Sequence, residues 1–199
     1  MSILDLDNNV ITKQMNIDSG LIAKVQIVGS ESTVKAVTTI MGKIGAAIME
    51  LMLDRGALLS RQSYITVVDE LRSKEMSELE RLVSMMKSVN LEGNRDQRLW
   101  DVINNNIKFH TEERDRYMNE IKELRDKQNN EHLIFTKKCM AKFFDISYFL
   151  PDAILSVRAD LNLPISNEAY LDIFNENIEM GKKVFQGFFD NLGKEFGDV

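Results

Sequence analysis

The chain has 199 residues, 44% of them hydrophobic, and 31 acidic against 25 basic side chains leave a formal net charge of −6. A field of that sign repels phosphate and anionic lipid, so a nucleic-acid site would need a local basic patch. One cysteine, Cys139, excludes an internal disulfide and predicts a reduced, cytoplasmic protein.

Two prolines, ten glycines and no dominance of β-branched residues predict an all-α fold with at most one short strand. Eleven methionines suit a plastic core or an adaptable binding surface. The opening residues lack a basic region followed by an apolar stretch, so no signal peptide is expected. No uninterrupted apolar run approaches the ~20 residues of a bilayer span, and the expectation is a soluble protein without membrane contact.

Residues 1–31 read as an N-terminal arm. Within it, Leu21, Ala23, Val25 and Ile27 alternate between Gly20 and Gly29, the pattern of a strand at 21–28. Residues 32–93 then read as a three-helix unit. The first helix, 32–55, carries Val37, Ile40, Met41, Ile44, Ile48, Leu51 and Met52 on one stripe and is expected to stop at Gly56. Gly42 and Gly45 within it suggest a second helix crossing closely, because a helical glycine costs about 1 kcal/mol against alanine. Further helices are expected from Ser60, with Tyr64, Val67, Val68 and Leu71 inward, and from Ser77, with Leu79, Leu82, Val83 and Met86 inward, up to Gly93.

Residues 94–199 read as a long-helix bundle. From about 94 to 131 neither Gly nor Pro interrupts a seam that steps by three and four through Trp100, Ile103, Ile107, His110, Arg114, Tyr117, Ile121 and Leu124. This is a coiled-coil pattern with a polar middle. It predicts either a homodimer packed along the seam, with His110 and Arg114 setting register, or packing on the two C-terminal helices of the same chain. A helix at 132–150 carries Phe135, Cys139, Phe143, Phe144, Tyr148 and Phe149, and Pro151 ends it or begins a short helix with Ile154, Leu155 and Val157. Ser166 is expected to cap the last helix, with Tyr170, Leu171, Phe174, Ile178, Val184, Phe185, Phe188 and Phe189 inward and Gly193 closing it.

No catalytic, cofactor-binding or metal-binding constellation emerges. Glu-x-x-His carboxylate motifs fail at both histidines, since Ile107 and Asn129 hold the glutamate positions. One cysteine cannot make a thiolate zinc site, and neither a phosphate loop nor a dinucleotide fingerprint is present. His110 with Glu113 is the one pair able to bind a metal or move a proton, against the plainer reading of a seam residue. Alternating charges along 108–127 read as a solvated, salt-bridged face. A helix-turn-helix-like unit at 36–73, with Arg55, Arg61, Gln62 and Ser63 toward nucleic acid, is the alternative to protein binding, though Asp69 and Glu70 oppose it.

Residues 41–56, Met-Gly-Lys-Ile-Gly-Ala-Ala-Ile-Met-Glu-Leu-Met-Leu-Asp-Arg-Gly, with Ser60 to Ile65, Leu71 and Ser77 to Glu80, resemble the small enterobacterial regulators of biofilm formation and acid resistance. That resemblance covers about a quarter of the chain. It implies a short, dimer-forming helical domain of a bacterial protein that regulates through protein contacts, and no site residue is transferred from it. The reading as a whole is a non-enzymatic helical adaptor or regulator that binds another protein and self-associates, without cofactor.

Overall fold

A computed structural model describes residue 20, residues 23–163 and residues 167–196, and all secondary structure among the described residues is helical. Residues 23–28 form a short helix, α1. Four more follow: α2 (Glu31–Leu91), α3 (Gln97–Ser147), α4 (Leu150–Asp160) and α5 (Asn167–Phe196). The all-α expectation holds. The expected strand does not, because 23–28 is helical while 21 and 22 lie outside the described residues. Most of the expected arm, 1–19, and the Ser166 cap also lie outside them.

The three helices expected over 32–93 are one helix of 61 residues. Gly56 fails to stop it because one glycine costs only about 1 kcal/mol, which neighbouring turns and packing outweigh. Serines here, among them the expected cap Ser77, bond back inside the helix. Ser63, Ser73 and Ser77 donate to the carbonyls of Leu59, Asp69 and Ser73, each four residues back, at 2.8–3.1 Å. Likewise the helices expected at 94–131 and 132–150 are one, α3. Gly193 does not end α5, which runs to Phe196.

Both ends of α2, the start of α3 and the end of α4 carry explicit capping bonds. Ser30 caps α2, its hydroxyl accepting from the Thr33 amide at 3.4 Å while its carbonyl takes the Val34 amide at 2.9 Å. At the other end Gly93 adopts φ +68, and the amides of Gly93 and Asn94 donate to the carbonyls of Asn90 and Val89. That pair of bonds closes the helix and demands a left-handed residue. Asn94 and Asp96 then turn the chain into α3, the Asp96 carboxylate accepting from the Arg98 amide at 2.9 Å. Asn162, at φ 52, ends α4 in the same way as Gly93 ends α2.

The chain divides into two compact units. One comprises Gly56–Leu133, the α2–α3 hairpin. Ile65, Val68 and Ile121 form its buried cluster, with Tyr117 and Leu124 against it. The other comprises the chain up to Arg55 and from Ile134 onward. Ile40, Ala47, Phe135, Ala153, Ile178 and Phe189 are buried in it.

A Cβ at Gly42, Gly45 or Gly56 would meet nothing within 4 Å, so no helix crosses closely there. The close crossing is at Gly181 of α5, where a Cβ would lie 3.4 Å from the Phe144 ring of α3. We therefore expect Gly42→Ala, Gly45→Ala and Gly56→Ala each to raise stability by about 0.5–1 kcal/mol in denaturant titrations. Gly93→Ala should lower it by about 1 kcal/mol, because alanine there would be forced into the left-handed region.

Candidate functional site

The seam residues are used within the chain. In the Gly56–Leu133 unit, Arg61 pairs with Glu131, Gln62 accepts from the Gln128 amide at 2.8 Å, and Tyr64 donates to Glu120 at 2.8 Å. Glu75 meets His110 Nδ1 at 2.5 Å. Partners on α3 descend in number as those on α2 ascend, so the helices are antiparallel and their seam closes on itself. Ile103 and Ile121 are buried, and Trp100, Ile107, Tyr117 and Leu124 are half-buried. The seam thus packs on the second part of α2. Arg114 turns to Asp115 at 2.6 Å.

His110 does not pair with Glu113, which binds Arg116 at 2.5 Å. Its ring instead lies against Glu75, both side chains half-buried, with Phe109 edge-on at 5.2 Å. Glu75 was invisible as a partner because it lies 35 residues away on another helix. Among the described residues no three of His, Cys, Asp and Glu gather to hold a metal ion.

Residues 36–73 are continuous helix, so no turn separates a recognition helix. Arg61 and Gln62 face α3 through the pairs above, and Ser63 bonds back to Leu59. Arg55 also has a partner within the chain. The side chains expected to face nucleic acid are therefore engaged within the chain.

The other unit holds the denser polar clusters. Lys138 reaches Asp54 at 2.7 Å and Glu50 at 3.1 Å, while Lys142 takes Glu50 at 2.7 Å. The Lys142 hydrogen bond, then that from Lys138, holds the Glu50 carboxyl below its ordinary range. Tyr148 donates to Glu179 at 2.7 Å and receives Lys182, and the Tyr148 bond, then that from Lys182, lowers the Glu179 carboxyl. The Ser30 amide donates to Asp160 at 2.9 Å, so the start of α2 lowers that carboxyl. Burial pushes the Cys139 thiol up, away from nucleophilic use. These contacts orient helices; none presents a nucleophile with a base.

Apolar side chains left outside are the remaining surface feature. Met49, Met52 and Leu53 are 71%, 54% and 79% exposed on one side of α2. Between Lys35 and Asp54 the only charged residues are Lys43 and Glu50, and an 18-residue window in α2 reaches mean hydropathy 1.5 with 11% of it buried. By length and composition alone that window is apolar enough to cross a bilayer; the sequence reading counted only uninterrupted runs. Both interrupting charges are engaged: Glu50 as above, Lys43 at 5.2 Å over the Phe149 ring. Between α3 and α5 an open groove of about 340 Å³ is lined by Phe144, Phe185 and Phe189, with Lys137 and Lys182 at its edges.

Compared with protein-family models, with curated proteins and with solved structures, the chain matches none.

The depressed carboxyls set a pH response. Their folded pKa values lie below the unfolded value of about 4, so their stabilisation is complete above that range and is lost as pH falls through the folded values. Thermal melts from neutral to strongly acidic pH should show falling Tm, and Glu50→Gln or Asp160→Asn should lower Tm at neutral pH while flattening that fall.

Proposed function

We propose that the chain is a non-enzymatic helical adaptor or regulator of a reducing cytoplasm, acting through contacts with another protein. What supports this most is the apolar patch of Met49, Met52 and Leu53. Met52 and Leu53 lie three and four residues after Met49 on one helix face, so the three act as a unit. Leaving them in water forgoes roughly 1.5–3 kcal/mol each, which a partner surface would recover. Two methionines give the patch an adaptable shape. Regulation through contacts is also what the resemblance of residues 41–80 implies.

The test is affinity capture of the tagged chain from its own cells, with and without nuclease, alongside Met49→Asp/Leu53→Asp. A specific protein retained after nuclease and lost from the double variant is the expected result. Loss of every partner on nuclease treatment would transfer the assignment to nucleic acid.

A second reading, attachment to a lipid bilayer, is favoured by the hydropathy and exposure of the α2 stretch between Lys35 and Asp54. Flotation with phosphatidylcholine vesicles distinguishes it: the adaptor reading expects the protein to stay at the bottom of the gradient.

A further inference from the structure

The outer side of α5 carries an apolar stripe that none of the described residues covers. On its inner side Ile178 and Phe189 are buried, and Phe185 stacks 4.9 Å from Phe189 and 6.3 Å from Phe144 of α3. The inward set expected from the sequence included Val184 and Phe188, but these are 69% and 55% exposed. With Ile173 and Met180, each 61% exposed, they fall within an arc of about 80° at 3.6 residues per turn. The apolar arc of α5 is thus wider than one contact face requires.

That stripe has coiled-coil spacing. Ile173, Asn177, Met180 and Val184 step by four, three and four residues, the alternation of core positions in a two-helix seam. Asn177 is the lone polar member, a substitution that fixes register at some cost in stability. Glu176 and Lys183 flank the stripe on its solvent side, seven residues apart, and both are exposed.

We infer that α5 is a self-association face on which a second copy of this chain docks antiparallel. The charges choose the orientation. In a parallel pair Glu176 and Lys183 would face Gly181 and Phe188 of the partner subunit and find no opposite charge. In an antiparallel pair Glu176 meets the partner's Lys183, and two-fold symmetry repeats the contact with roles exchanged. The same register sets Ile173 against Val184 of the partner subunit. Exposed ion pairs contribute only about 0.2–1 kcal/mol, so they select orientation while the apolar stripe supplies affinity. About 16 residues, or ~24 Å of helix, make the seam, short of a standard interface, so the dimer is weak and concentration-dependent. The inference rests on the adaptor reading in one respect, that exposed apolar faces of this chain are contact faces.

Equilibrium sedimentation of the purified full chain tests it. Monomer–dimer exchange is expected, abolished by Val184→Asp, an exposed change that leaves the inner face of α5 intact. Lys183→Glu should weaken dimerisation roughly tenfold, and adding Glu176→Lys should restore it, since the reversed pair is again complementary. Circular dichroism confirms that each variant stays helical, and the charge pair decides the question should Val184→Asp disturb folding. A chain that stays monomeric at its highest soluble concentration overturns the inference, as does a dimer indifferent to Val184→Asp or a double reversal that fails to restore it. A monomer that still captures its partner through Met49 and Leu53 would sink self-association and leave the adaptor reading standing. A dimer that captures nothing would do the reverse.

Discussion

Antiparallel pairing of α2 with α3 across Gly56–Leu133 is the constraint on which the remaining surface depends. It is held by Ile65, Val68 and Ile121 at the centre and by the Gln62–Gln128 and Glu75–His110 contacts along the seam. Burying three such aliphatic side chains contributes several kcal/mol, more than the polar pairs do, but the polar pairs select one register from the many that a smooth apolar stripe would allow. A turn built on Gly93 and capped by Asp96 makes that pairing local in sequence. The apolar side chains that face out elsewhere become the surfaces to explain.

Helical class, the turn at Gly93 and the stepped seam were legible in the sequence, because each is a local signal: composition, a left-handed residue and a periodicity. The partner of the seam was not. A stripe such as Ile103, Ile107 and Ile121 shows that a helix has an apolar side without showing what lies opposite, and Glu75 is distant from His110 along the chain. Helix breaks were over-read for a different reason. Gly56, Ser60 and Ser77 carry the residue types of caps, yet serine can return its hydroxyl bond to the carbonyl one turn back and remain in a helix, as Ser77 does.

Glycine misled in a second way. Gly42 and Gly45 suggested a close crossing, whereas the crossing is at Gly181, against a bulky phenylalanine. A glycine in sequence reports only that a side chain is missing; whether a neighbour occupies the space depends on the fold. The same holds for aromatic residues of α5. Its phenylalanines and valine form an arc too wide for one contact face, and periodicity alone assigned all of it to the core. Exposure of Val184 and Phe188 separates the part that holds this chain together from the part that is left to meet something else.

The most direct test of the account is where the seam closes. In a Cys139→Ser background, Gln62→Cys and Gln128→Cys place two thiols at positions whose native side chains touch, and a short bis-maleimide can join them. Closure within one chain requires cross-linked protein that runs as a single chain under denaturing conditions. Product that runs instead as a covalent dimer, with one thiol from each copy, would show that the seam lies between chains and would contradict it.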